Sequence, residues 1–234
     1  MSGKLTAPKM PFRALVAGGS GSGKTYMVTK LLLEHFGPNK IKRLIWVAPK
    51  YSLEQPKVKL LQDVYGDQMV VVDGTEGWTK EVQEKIDREL TRGRQRHSAG
   101  PNTGAYPDDT LLLLDDMLAA KSRARYVSNL YTTARHLGVS IIELVQRVFS
   151  GDRGTRTQRL NCTQFWLLGF PGGMTEVRAL IDQVEAKDIA PKLFAKYREI
   201  LRRDPHGYLY LDLAQKDGDP ERYRDSDLAN AIHL

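Results

Sequence analysis

Ala17-Gly18-Gly19-Ser20-Gly21-Ser22-Gly23-Lys24-Thr25 satisfies the spacing G-x-x-x-x-G-K-[ST]. It stands between an apolar run, Phe12–Ala17, and an amphipathic one, Lys24–Phe36. Strand, glycine-rich turn and helix in that order make a P-loop. The glycines let the chain curl until successive N–H groups converge on a β-phosphate, and the helix N-terminus adds partial positive charge. Residues Gly18, Gly19, Ser20, Gly21, Ser22, Gly23, Lys24 and Thr25 are therefore the expected cradle for a nucleoside triphosphate. Lys24 would reach the β- and γ-phosphates, and the Thr25 hydroxyl would bind Mg²⁺, a hard cation that prefers oxygen. The bland alternative, a flexible Gly/Ser linker that happens to end in Lys-Thr, does not account for the strand before it and the helix after it.

Outward from this loop, short apolar runs alternate with longer amphipathic ones. That alternation predicts an α/β fold, a mostly parallel sheet with helices on both faces. Expected strands are Phe12–Ala17, Arg43–Ala48, Met69–Val72, Thr110–Asp115, Val139–Val145, Cys162–Leu168 and Tyr208–Leu213, the last of them peripheral. Expected helices are Lys24–Phe36, Trp78–Arg92, Ser122–Leu137, Met174–Glu185 and Pro191–Arg202. Gly93 to Asp109 is rich in Gly, Pro, Ser, Asn and basic residues and reads as a mobile loop. With 234 residues the chain reads as one domain.

Leu111-Leu112-Leu113-Leu114 is apolar on both alternating faces, so this strand should be central, and it ends in Asp115-Asp116. An open α/β sheet places its ligand at the C-terminal ends of its strands. The pair therefore reads as a Walker B element. Asp115 would hold Mg²⁺, through water or Thr25, and Asp116 would orient and deprotonate the attacking water. Val139-Ser140-Ile141-Ile142-Glu143-Leu144-Val145 ends in Gln146, an amide able to touch both a γ-phosphate and a water. Taken alone, Gln146 is more often an ordinary strand-end residue. Glu143 is unexpected inside such a strand, as a supporting acid or as the point where the strand meets solvent.

The run Ala134-Arg135-His136-Leu137-Gly138-Val139-Ser140-Ile141-Ile142, followed by Gln146-Arg147 and then Arg159-Leu160-Asn161, resembles the FtsK–HerA superfamily of DNA translocases. Within it the chain is similar to the poxvirus-type genome-packaging ATPases of double jelly-roll viruses. Leu44-Ile45-Trp46-Val47-Ala48-Pro49 and the stretch Phe194 to Leu201 before Tyr208-Leu209-Tyr210-Leu211 carry the likeness over nearly the whole chain. The resemblance implies a RecA-like, ASCE-type sheet with added C-terminal strands, in which the Gln146 strand lies between the P-loop and Walker B strands. It further implies ATP as the nucleotide, double-stranded DNA as the partner, and a homo-oligomeric ring, pentamer or hexamer, with ATP between subunits and capsid vertex proteins as possible contacts. Arg159, with Arg135 in reserve, would be the arginine inserted from a neighbour. Asp115-Asp116 departs from the Asp-Glu pair of many superfamily members.

Composition sets outer limits. Lys and Arg number 35 against 28 Asp and Glu, a net charge of +7 that favours polyanionic partners. Basic residues gather at Arg92, Arg94 and Arg96, at Lys121, Arg123 and Arg125, and at Arg147, Arg153, Arg156 and Arg159. Most such clusters are solvated surface; here some are candidate DNA-phosphate contacts. No apolar run approaches the roughly 20 residues of a membrane-spanning helix. Met1 to Thr6 lacks the apolar run of a secretory signal, and Cys162 is the only cysteine, so an intracellular, reducing setting is expected, in host cytoplasm or at a viral assembly site. The tryptophans read as core, and the histidines show no metal-ligand spacing. Competing readings are a small-molecule kinase, for which a water-activating Asp116 and Gln146 would be superfluous, and a cellular or plasmid DNA translocase, which usually carries further domains.

Overall fold

Leu111 to Leu114 are completely buried, and successive leucines enter opposite apolar layers. The reason is the strand's two-residue period with cover on both faces. The computed structural model describes residues 8–97, 109–115, 121–149, 158–170, 172–226 and 231–232. Its strands are β1 (Arg13–Ala17), β2 (Arg43–Ala48), β3 (Met69–Asp73), β4 (Thr110–Asp115), β5 (Val139–Val145), β6 (Gln164–Leu167), β7 (Leu209–Asp212) and β8 (Tyr223–Arg224). They form one eight-stranded sheet in the order β3-β2-β4-β5-β1-β6-β7-β8. β1 to β6 run parallel, and β7 and β8 are added antiparallel at one side.

The longer helices are α1 (Lys24–Leu31), α2 (Pro56–Tyr65), α3 (Lys80–His97), α4 (Lys121–Thr133), α5 (Met174–Val184) and α6 (Ala190–Arg203). Met27, Val28 and Leu31 of α1 join Val58, Leu61 and Tyr65 of α2 on one face of the sheet. Ile86, Tyr131, Ile181 and Tyr197 bring α3 to α6 onto the other. Trp46, Trp78 and Trp166 are all core residues, as expected from their surroundings.

Several boundaries differ from the sequence reading. The helix expected over Lys24–Phe36 changes to a π-helical turn at Leu32–Phe36, which ends at Gly37. Helix α2 was not anticipated, although Pro56 at its first turn and Val58, Leu61 and Tyr65 on one side are ordinary helix signals. The loop expected from Gly93 begins later, because α3 continues to His97; the remainder, 98–108, lies outside the described residues. The good helix formers around Gly93 outweigh the cost of roughly 1 kcal/mol for one interior glycine. β7 is wholly buried and one strand in from the edge, which β8 occupies.

A buried ion pair ties α3 to the sheet. The Arg43 guanidinium donates to Glu89 Oε2 and, through Nη1, to Asp67 O at 2.8 Å, while Arg92 Nη1 donates to Glu89 Oε1 at 2.8 Å. Burial pushes the Glu89 carboxyl up, but the Arg43 hydrogen bond and the Arg43 and Arg92 charges outweigh it and hold the group below its ordinary value. A depressed carboxyl contributes stability above its unfolded pKa and loses it as pH falls through the folded one. Glu89→Gln leaves Arg43 charged and buried without its counter-ion, so about 3 kcal/mol of stability should be lost at neutral pH. Chemical denaturation at pH 7 and at pH 3 checks this: the gap between wild type and variant should narrow at the lower pH.

Candidate active site

The P-loop takes its shape from three glycines with separate duties. Gly21 (φ 73°) and Gly23 (φ 95°) occupy left-handed backbone that a side chain would strain. Gly18 is required by space: a Cβ there would lie 2.5 Å from Ser22 Oγ and 2.9 Å from Leu168 Cβ. Gly18 N donates to Val145 O at 3.1 Å, and Gly19 N to Gly169 O at 2.8 Å, so the loop hangs from the ends of β5 and β6. Helix α1 starts with no side-chain cap and no acidic residue in its first turn. Its N-terminal dipole thus meets no acid from its own first turn and suits a phosphate. Ser22 Oγ is buried beside Gly18, with no hydrogen-bond partner among the described residues. Lys24 is 9% exposed, and its Nζ donates to Gly18 O at 2.8 Å and Gly19 O at 3.0 Å.

Strand order brings the remaining sites to this loop. β5 lies between β4 and β1, with Asp115 opposite Leu144 and Val145 opposite Ala17. Asp115, Gln146 and the P-loop therefore leave adjacent strands at one end of the sheet. Asp115 is 3% exposed, and Gln146 is exposed. Asp116 lies outside the described residues. A hydroxyl on Thr25 and a carboxylate on Asp115 make a hard-oxygen donor set that fits Mg²⁺. Among the described residues no group of three or more His, Cys, Asp or Glu could hold a metal ion.

Glu143 belongs to the interior. It is 2% exposed, and Tyr131 Oη of α4 donates to its Oε2 at 3.2 Å. Burial, and then the charge of Glu143, push the Cys162 thiol well up, so the single cysteine is no thiolate. Of the alternatives for Glu143, the strand does not meet solvent there.

Arg159 is held within its own chain. Nη1 donates to Val148 O at 3.0 Å, and the guanidinium lies 4.3 Å from the Phe149 ring centroid. Glu176 Oε2 accepts from Val148 N at 2.9 Å and from Phe149 N at 3.3 Å, and Arg147 pairs with the same carboxylate at 3.2 Å. The segment following Gln146 is thus gripped from both sides. Arg135 sits in the 3₁₀ turn Ala134–Leu137 before β5, and its side chain lies outside the described residues. Of the basic clusters, Arg92 and Arg147 are spent on internal acids. Arg153 and Arg156, and the side chains of Arg94, Arg96, Lys121, Arg123 and Arg125, lie outside the described residues.

Sequence reading missed the turn after α6. His206 Nδ1 comes within 3.5 Å of Ser22 O, and the turn is closed by His206 N donating to Asp204 Oδ1 at 2.9 Å. Only the Asp204-Pro205-His206-Gly207 turn signal was there to find, and nothing local ties it to the P-loop.

The chain superposes on the genome packaging NTPase B204 of Sulfolobus turreted icosahedral virus 2, solved with sulfate, with a TM-score of 0.60 at 16% identity, over 92% of this chain and 96% of that one. The ATP-gammaS complex of the same protein gives 0.56 at 14% identity over 93% and 97%. The type VII secretion ATPase EccC of Thermomonospora curvata gives 0.55 at 16% identity, over 95% of this chain but 25% of that one. At these identities the likeness establishes the fold, that of a P-loop ATPase. No curated protein matches the chain in sequence. The family described as poxvirus A32 protein matches residues 4–162, more than half of the 234 and inclusive of the P-loop, Asp115, Gln146 and Arg159. The chain belongs to the poxvirus A32 protein family.

Proposed function

We propose that this chain is the ATPase that drives double-stranded DNA into a viral capsid, working as a homo-oligomeric ring. The observation that carries the reading is the strand order β4-β5-β1, which sets Asp115 and Gln146 beside the P-loop within a family-matched region. A carboxylate and an amide flanking a phosphate cradle serve water as the acceptor; a kinase would need a second substrate pocket in that place.

The division of labour follows from the side chains. Backbone N–H groups of Gly21, Gly23, Lys24 and Thr25, with the α1 N-terminus, bind the phosphates. Lys24 exchanges its two loop carbonyls for β- and γ-phosphate oxygens. Thr25 and Asp115 would hold Mg²⁺, which when bound supplies charge neutralisation on those oxygens. Asp116, next in chain to Asp115, accepts the proton of the attacking water, and Gln146 orients that water. With Arg159 gripping the loop after Gln146 in its own subunit, Arg135 becomes the better candidate for the arginine that a neighbour inserts. The net charge of +7 suits a duplex tracked by its backbone, and work at a viral assembly site with capsid vertex proteins fits the same role.

ATP turnover measured with and without duplex DNA, alongside sizing of the protein, tests the reading. Hydrolysis should rise with DNA of any sequence. DNA affinity should fall about 10³-fold between 50 and 200 mM salt, as phosphate contacts release counterions. Turnover indifferent to DNA, with an affinity indifferent to salt, would sink the packaging motor.

A further inference from the structure

A cavity of about 570 Å³ opens beside the P-loop, within the size range of small-molecule sites. Gly21 and Gly23 form its rim on the phosphate side. Tyr26, Lys57, His206 and Tyr208 are among its walls. The cavity thus begins where the phosphate cradle stops, and its walls come from α1, α2 and the turn between α6 and β7.

Two of these side chains are flat, polarizable and out in solvent. Tyr26 directly follows Thr25 and is 55% exposed, with Lys57 Nζ 4.1 Å from its ring centroid. Such a cation restricts how the ring can turn. His206 is exposed, yet its imidazole lies against the loop, 3.7 Å from where a Cβ on Gly23 would stand. The turn that carries it is well fixed. Gly207 N donates to Asp204 O at 2.9 Å, and Tyr208 N to Ser226 Oγ at 3.0 Å. Gly169 lies between turn and loop: its carbonyl accepts from Gly19 N, and a Cβ on it would lie 3.3 Å from Pro205 O.

We propose that this cavity is the nucleoside subsite, in which Tyr26 and His206 hold the purine base of the triphosphate by its faces. The inference rests on the P-loop's binding ATP, and it assigns half of the subsite to a segment beyond the family-matched residues 4–162. Aromatic and imidazole faces attract any base by stacking. Affinity for the nucleoside therefore comes from the turn as much as from α1.

Calorimetric titration with ATP and with inorganic tripolyphosphate, each with Mg²⁺, separates the two parts of the site. Wild type should bind ATP more tightly than tripolyphosphate. Tyr26→Ala and His206→Ala should each weaken ATP about tenfold, as expected for lost base stacking, and leave tripolyphosphate unchanged. Both side chains are exposed, so the variants should fold, and circular dichroism checks it. Variants that bind ATP as wild type does, or that lose both ligands equally, would overturn the subsite while the ATP reading stands. A wild-type chain that binds neither ligand would overturn both.

Discussion

Lys24→Ala is expected to lower ATP hydrolysis by about 10²–10³-fold or more, because a positioned cation on the transferring phosphate acts most strongly in the transition state. The structure says why the loss should be chemical rather than structural. Lys24 Nζ holds Gly18 O and Gly19 O, and the variant forfeits those two bonds. The loop's own backbone bonds remain: Gly18 N to Val145 O, Gly19 N to Gly169 O and Ser22 N to Gly19 O. Its left-handed glycines remain too. In the proposed mechanism ATP binding exchanges these two carbonyl contacts for phosphate ones, and the lysine already stands against the loop. Steady-state turnover beside a thermal melt decides the matter. Near-normal turnover in a folded variant would remove the P-loop from the mechanism.

Asp116→Asn should reduce hydrolysis by about 10²–10⁴-fold while ATP still binds, since general-base catalysis is lost and the metal ligands stay. Asp115, 3% exposed at the end of β4, is untouched by the change. Glu143 was the one other acid in the neighbouring strand that could stand in as base. It is buried and accepts the Tyr131 hydroxyl from α4. Rescue by Glu143 is therefore not expected. The measurement is single-turnover hydrolysis together with ATP affinity; an Asp116→Asn chain that hydrolyses at the wild-type rate would show that the water is activated elsewhere.

Much of this protein was determined by residue type and short spacing. Gly18 to Thr25 between an apolar and an amphipathic run specified the P-loop, because left-handed turns need glycine and a helix N-terminus needs no side chain to attract phosphate. Leu111–Leu114 announced a strand covered on both faces, since alternation by two leaves no polar side. The arginine-histidine run before Gln146, by its resemblance to a translocase family, led to the strand order that the sheet has. The tertiary structure alone decided the rest. Glu143 is interior because Tyr131 reaches it from α4, and the Arg159 guanidinium rests on Val148 O and the Phe149 ring. His206 reaches Ser22 across 184 positions, through a turn whose neighbours give no hint of phosphate or base. Local propensity depends on a few adjacent dihedrals and side chains, whereas these contacts depend on how helices settle on a sheet, and no spacing in the chain records that.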